Sequence, residues 1–477
     1  MTANDSSQTD TSEVTSREAR FPRTAISKSV ITGPIRKTMF FLALPVLAEQ
    51  LLNTLVGLVD TYLAGRISPT ATAAVGVAAY VSWLVSMLVM LVATGTTALV
   101  SRCHGAGDRA EANHFCNQSL TLGVLVGMGL GTMVYLAAPW LALSFRMAGD
   151  AYDITVTYLR IEAIGHMPMS VTLVACAAFR GIGKMRVPML VFLVINSVNV
   201  VASCCFVYGL GPLPPLGVNG IVSGTLVARG LGTGLILSVL VLGRAGLSLR
   251  KRELPVTLAR ARRVIRIGLP AALDGGVMWS GQFLFLLIIA RLAPNPLGEA
   301  YLAAHIVAVR VEAFTYLPAV AWGAATATMI GQALGAGDSR RAVRAGHEGV
   351  LQCGLLSVVI SACFALAAAF IYRHMSADPL VQSVGTGPFR ILAVLQPFLV
   401  VSIVYVAGLR GAGDTRYPLL ITAIGAFAFR VPLGYLFGIV LNGGLLGAWI
   451  GMFGDMIWRA IGATARYLNG RWVHTEV

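Results

Sequence analysis

Residues 42–66 read LALPVLAEQLLNTLVGLVDTYLAGR. Before the closing Arg66 this stretch carries only two charges, Glu49 and Asp60, in an apolar run long enough for a hydrocarbon layer, which takes about 20 helical residues to cross. The run at 40–64 is the first of a series. Others follow at 74–100, 117–143, 154–179, 188–211 and 217–242, and six more at 267–292, 301–329, 347–371, 388–409, 418–441 and 444–467. Composition agrees with so many spans. Of 477 residues, 56% are hydrophobic and 12% charged, about half the charged share of a soluble domain. Such a chain must bury its apolar residues in protein or lipid, which excludes a soluble enzyme, a disordered chain and a collagen-like one. The expected fold class is an all-α membrane protein with 12 transmembrane helices.

The net charge is +15, from 36 basic and 21 acidic residues. Its placement decides its meaning. Arg102 and Arg109, then Arg180, Lys184 and Arg186, then Arg340, Arg341 and Arg344, then Arg410 and Arg416 all fall at the exits of even-numbered spans. The odd exits hold only Arg66, Arg146, Arg291 and Arg373, and the loops 211–217 and 441–444 hold no basic residue. Positive charge stays in the cytoplasm, so the alternation predicts a multi-pass protein of the plasma (inner) membrane with both termini cytoplasmic. No basic patch with interleaved aromatic residues suggests nucleic acid. The seven cysteines show no CxxC spacing and read as packing residues. Residues 1–37 are polar and of mixed charge, without the apolar core of a cleavable signal peptide.

The longest connection, 244–266, is rich in arginine and divides the spans six and six. The expected organisation is a disordered tail (1–37), a six-helix lobe (38–243), a basic linker (244–266), a second six-helix lobe (267–468) and a short tail (469–477). Leu254, Val256, Leu258 and Val264 among the charges suggest that part of the linker lies as an amphipathic helix on anionic lipid. The two lobes are repeats. Gly105-Ala106-Gly107-Asp108 returns 230 positions later as Gly335-Ala336-Gly337-Asp338, and Arg180-Gly181-Ile182-Gly183 returns at the same offset as Arg410-Gly411-Ala412-Gly413. Leu44-Pro45 returns as Leu269-Pro270. Six is an even number, so both lobes enter the membrane in the same direction, as parallel repeats with a central site between two bundles. The glycines read as turns after helices, with Asp108 and Asp338 as caps and the arginines pinning the loops to the surface. Neither glycine motif has phosphate-loop spacing. Gly123, Gly127 and Gly131 read as a helix-packing seam.

An ionisable side chain inside lipid needs a cavity or a partner. Glu49 and Asp60 share one face of the first span with Asn53 between them. Asp274 stands at the repeat position of Glu49, so the two carboxylates are expected to face each other and admit cationic substrates. On the eighth span Tyr301, His305, Glu312 and Tyr316 fall on one face, an aromatic and acidic stripe suited to an organic cation. Gln396, beside Pro397 on the tenth span, is a candidate for the same cavity. Arg430 and Asp455 lie at matched depth in the last two spans and are expected to form a buried pair, with Arg459 as an alternative partner. Glu162 and His166 are spaced as an i,i+4 pair.

The stretch at 42–66, GAGDRAEA at 105–112, FRGIGKMRVP at 179–188, GLPAAL at 268–273, IGQALGAGD at 330–338, LRGAGDTRYP at 409–418 and RVPLGYLFG at 430–438 together resemble the MATE family, the multidrug and toxic compound extrusion transporters. The resemblance runs from about residue 38 to 470 and implies two lobes in a V shape, alternating access, and export of small cationic or amphiphilic substrates driven by protons or sodium ions. No cofactor and a monomer in the bilayer are expected. The resemblance also assigns Asp60 as the coupling carboxylate, with Asn199, Ser203 and Thr225 at the remaining positions of the coupling site. Ser203 stands where the family has a second aspartate. A sodium ion at Asp60 would then meet one formal negative charge, and a lone desolvated carboxylate is better suited to a proton. The nearest rival is a lipid-linked saccharide flippase of the same superfamily, for which the largely acidic in-span charges are unsuited. A membrane receptor or an intramembrane enzyme is more distant, since no HExxH or GxSxG motif lies in a span.

Overall fold

The structure, a computed structural model, describes residues 30–145, 147–209 and 214–475. The expectations for residues 1–29, Arg146, 210–213 and 476–477 lie outside the described residues. Thirteen helices carry the fold: α1 (Ile35–Ile67), α2 (Pro69–Gly105), α3 (Arg109–Ser144), α4 (Asp150–Ile164), α5 (His166–Gly181), α6 (Arg186–Tyr208), α7 (Val218–Leu242), α8 (Leu258–Ile289), α9 (Leu297–Gly335), α10 (Ser339–Met375), α11 (Pro379–Gly411), α12 (Arg416–Val440) and α13 (Gly444–Leu468). Their starts are written in side-chain chemistry. Ser68 accepts from the Ala71 amide at 3.0 Å ahead of Pro69, Asp108 from Glu111 at 2.9 Å, and Asp338 from Arg341 at 2.8 Å. Each satisfies an amide that the first turn leaves open.

Ten of these helices are each long and apolar enough to cross a membrane. The pair α4 and α5 makes an eleventh span, bent by 43° at Gly165. Pro168, lacking an amide hydrogen, removes the bond that would join α5 to the Ile164 carbonyl. The twelfth is α13, whose buried Asp455 and Arg459 dilute its apolar character. Two π-helical stretches, Gly425–Arg430 and Leu436–Val440, lie within α12.

In the first half α1 packs along α6, α6 along α7, and α2 and α3 along α5; in the second half α9 and α10 pack along α11, and α11 and α12 along α13. The halves meet where α1 lies on α9, where its repeat partner α8 lies on α2, and where α2 crosses α9. Small residues permit these crossings. Gly105 abuts the Gln332 backbone and Gly335 abuts the Arg102 backbone, two contacts that the 230-residue offset converts into one another. Within each half, Gly181 lies against the Thr97 carbonyl and Gly411 against the Ala327 carbonyl, again at that offset. Polar bonds cross the same junction. Gln332 donates to the Gly181 carbonyl at 2.7 Å and Thr328 to the Arg180 carbonyl at 3.0 Å, while Arg102 reaches the Ala412 carbonyl at 3.4 Å. The halves are therefore closed at the face that carries the basic loops.

This changes the reading of the glycine motifs. Only Gly107, Gly183, Gly337 and Gly413, with φ between 77° and 93°, serve the turns; the other glycine of each motif serves helix contact. The seam of α3 packs as expected from its spacing, Gly123 and Gly127 against Ser170 and Gly131 against Ala163.

The linker and tails also differ from expectation. Helix α8 starts at Leu258 and turns Val264 inward, so these residues are not a separate surface helix. The segment before it is clamped to α3. Glu253, buried, accepts from Asn113 at 2.5 Å and from Asn117 at 3.1 Å, and Gln118 accepts from the Thr257 amide at 3.1 Å. Val30 is buried in the second-half core and Arg341 donates to its carbonyl, which anchors the end of the expected free tail. After α13, Trp472 stacks on Tyr467 with ring centres 4.7 Å apart, and the Thr475 carbonyl accepts from Arg102 at 2.8 Å.

Adding bulk at the α2–α9 crossing should loosen this closure, since overpacking costs about 1–3 kcal/mol. With Cys103 as the sole remaining cysteine, Gly105→Val and Gly335→Val are expected to raise its labelling rate by a maleimide added at the basic face about tenfold; an unchanged rate would mean the crossing does not hold the face shut.

Candidate functional site

Buried charge organises the centre of the molecule. Glu49, 2% exposed, does not present a free carboxylate to substrate; the Arg180 guanidinium lies 2.5 Å from it. Asp274, at the repeat position, is paired in the same way with Arg410. Both members of each pair are duplicated, Glu49 with Asp274 and Arg180 with Arg410. The expectation that two acids face each other to admit cations is thereby corrected, as is the assignment of Arg180 and Arg410 to the surface. The reason is electrostatic. An acid at this depth costs several kcal/mol unless a cation accompanies it, and the glycine motif at the end of the fourth or the tenth span supplies one.

Farther along α1 the pattern breaks. Asn53 accepts from Asn196 of α6 at 3.0 Å. As first and fifth spans, α1 and α6 run in parallel, so Asp60 and Ser203, each seven residues on, stand level about 10 Å beyond that bond. On the α6–α7 side, Asn199 donates to Thr225 at 2.8 Å, and the Ile221 carbonyl accepts from both Thr225 (3.1 Å) and Ser203 (3.2 Å). The Ser203 hydroxyl is thus turned to α7, beside Gly224, rather than toward α1. Asp60 has no hydrogen bond or ion pair among the described residues, and its Oδ1 and that of Asn199 are buried without a donor.

The charges nearest to Asp60 come from a cluster that the spacing pattern does not show. Arg229 of α7 lies 3.5 Å from Glu162 of α4, which also accepts from Ser82 of α2. Arg229 and Glu162 are the groups whose charge Asp60 senses. Glu162 therefore pairs across helices and not with His166, whose Nε2 is buried without a partner. Arg229 was findable, being an ionisable residue inside the apolar run 217–242. Ser82 had no such signal.

In the second half, Gln396 joins α9 to α11, accepting from Thr315 at 2.6 Å and donating to Glu312 at 3.2 Å. Tyr316 beside it is 45% exposed. The rest of the stripe serves packing. His305, 2% exposed, sits edge-on between Phe285 and Trp449 with ring centres 5.8 and 5.9 Å away, and Tyr301 packs against Gly444 at the start of α13. A continuous cation stripe is not formed, because α8 and α13 cover the α9 face at His305. Arg430 and Arg459 share one carboxylate, that of Asp455, with Arg430 at 2.6 Å and also donating to Gln282 at 2.6 Å. The two partners considered for Asp455 act together.

The family pattern described as MatE matches residues 45–204 and 270–436, two stretches that begin on the repeat-related Pro45 and Pro270. The chain belongs to the MatE family. It is a membrane transporter and not an enzyme. This MatE protein is 29% identical over 440 residues to the probable multidrug resistance protein NorM of Thermotoga maritima, covering 92% of this chain and 93% of the relative. It is 26% identical to the multidrug resistance protein PmpM of Pseudomonas aeruginosa over 88% of this chain and 87% of that one. Two solved structures share its fold with a TM-score of 0.86 at 22% identity, covering 94% of this chain and 98% of each. One is the outward-facing conformation of a multidrug resistance MATE family transporter of the MOP superfamily, and the other a MOP superfamily transporter from Pyrococcus furiosus described as having a binding pocket of reversed polarity. The twelve spans in two lobes are the architecture of these structures.

A hard cation is held by several converging oxygens. This MatE protein offers the unpaired oxygens of Asp60 and Asn199, while Ser203 and Thr225 donate to a backbone carbonyl. Among the described residues no group of three or more His, Cys, Asp or Glu comes together as a metal site.

Arg180→Met strands Glu49 without its partner and is expected to cost about 3 kcal/mol, whereas Glu49→Leu with Arg180→Met should cost less than that single change. Unfolding midpoints of the purified variants test this, and a double variant less stable than Arg180→Met would contradict it.

Proposed function

We propose that the protein is a multidrug antiporter that exports small organic cations or amphiphiles by alternating access, using the entry of a cation bound at Asp60. The observation that carries this reading is the contrast among the membrane carboxylates. Glu49, Glu162, Asp274, Glu312 and Asp455 each have a hydrogen-bonding or ionic partner, and Asp60 has none among the described residues. The names of the NorM and PmpM relatives support the multidrug reading. The loss of a second carboxylate at Ser203 favours a proton over a sodium ion.

In this mechanism the lobes 38–243 and 267–468 rock about the α2–α9 crossing, with both termini cytoplasmic and a monomer in the inner membrane as the working unit. A proton arriving from outside neutralises Asp60 and removes its attraction for a bound cation and for Arg229. Helix α1 then repacks on α6 through the Asn53–Asn196 contact, and the substrate leaves outward. Loss of the proton inward restores the charge. Asn199, Ser203 and Thr225 hold α6 and α7 together beside Asp60. Glu312, Gln396, Tyr316 and Asn53 are the polar groups proposed to meet substrate, with Glu49 and Asp274 placed behind their arginines. A basic in-span cavity for a saccharide phosphate is not favoured, because Arg180, Arg229 and Arg410 each pair with their own carboxylate and Arg430 and Arg459 are both drawn to Asp455.

In proteoliposomes with separately imposed gradients, a proton gradient is expected to drive uptake of a fluorescent organic cation. Asp60→Asn should reduce that rate at least about tenfold, the scale of losing one coupled charge. An unchanged rate in Asp60→Asn would remove Asp60 from the mechanism, and a rate driven by sodium alone would replace the proton.

A further inference from the structure

The basic face carries a feature that transport does not use. A cavity of about 600 Å³ is lined by Ala259, Arg262, Arg263 and Arg266 at the start of α8 and by Arg416 at the start of α12. It continues into a smaller recess bordered by Gly413, Thr415 and Thr475. Arg262, Arg266 and Arg416 have no carboxylate within 4 Å among the described residues. The acid in the recess, Asp414, is taken by Arg466 at 2.8 Å. Exposed guanidinium groups gathered around one hollow concentrate positive potential there, and the planar fork of arginine matches the oxygens of a phosphate.

The face of α8 beside the cavity indicates where that phosphate comes from. Leu258 is 85% exposed, Ile265 40% and Leu269 45%, and these side chains alternate along one side of the helix with Arg262 and Arg266. At about 100° per residue all five fall within an arc of about 100°, the three apolar residues on one side of it and the arginines on the side next to the cavity. Apolar side chains there suit acyl chains, and the arginines beside them suit a headgroup. We propose that this cavity binds a phosphate-bearing anion, the headgroup of an anionic phospholipid whose chains lie along Leu258, Ile265 and Leu269.

The position gives the ligand a consequence. Thr475 borders the recess and its carbonyl holds Arg102 of the first half, while α8 packs on α2. An anion bound by Arg266 and Arg416 therefore ties α8 to α12 within the second half, beside the two elements of that half that contact α2 and Arg102.

The test uses the full chain in detergent, with phosphatidylglycerol, phosphatidylcholine or inorganic phosphate added. Phosphatidylglycerol is expected to raise the unfolding midpoint and to survive on the protein in native mass spectrometry. Arg266→Gln with Arg416→Gln should weaken its retention about tenfold or more, and Arg262→Gln provides a second, single change at the same cavity. Arg373→Gln, outside the cavity, should leave retention unchanged. Midpoints without lipid show that the variants are folded. A midpoint shift with inorganic phosphate that the double variant loses supports the anion site with a free phosphate as its source. Equal shifts with phosphatidylcholine, or retention unchanged in both cavity variants, would overturn the proposal.

Discussion

A charge placed among apolar residues must find a partner within the protein, since neither lipid nor packed side chains can solvate it. The molecule depends on how that demand is met. Glu49 with Arg180 and Asp274 with Arg410 answer it twice, in the two halves, with the same pairs of repeat positions. Asp455 answers it with two arginines inside the second half, and Glu162 with Arg229 inside the first. Each pair draws residues from different helices or fixes a helix against its neighbour. Breaking one partner leaves the other stranded, so these pairs hold their helices to one another. Asp60 stands apart because it has no such partner among the described residues, and in the proposed mechanism a transported cation supplies it.

Duplication gives the central junction its geometry. Gly105 on Gln332 and Gly335 on Arg102 are one contact used twice, and the polar bonds that cross there come from the same positions, Gln332 on one side and Arg102 on the other. A junction built from two equivalent halves around small residues can slide or open without unravelling either half. The docked terminal segments, Val30 under Arg341 and Thr475 over Arg102, add contacts specific to the closed basic face.

Much of this was legible in the sequence and some was not. The apolar runs and the alternation of basic loops give twelve spans, and the 230-residue offset gives two parallel halves, because membrane thickness and the cost of exposed backbone leave few other choices. Asp60 stands out by type and context. Its surroundings do not. The partners of Glu49, Glu162 and Asp274 come from helices far away in the chain, and single-helix spacing cannot name them; the i,i+4 rule proposed His166 for Glu162 where Arg229 serves. His305 and Tyr316 share a face on a helical wheel, yet Trp449 and Phe285 cover one and leave the other open. The break at Gly165, the clamp on Glu253 and the early start of α8 likewise follow from contacts between distant segments.

If Asp60 exchanges a proton for a cationic substrate, binding of that substrate to the purified protein must expel the proton. Measuring proton release in weakly buffered solution on adding a tightly bound organic cation tests this without any gradient. About one proton is expected to leave per cation bound, at a pH where Asp60 is protonated, and none from Asp60→Asn. Binding without proton release, or equal release from both proteins, would contradict it.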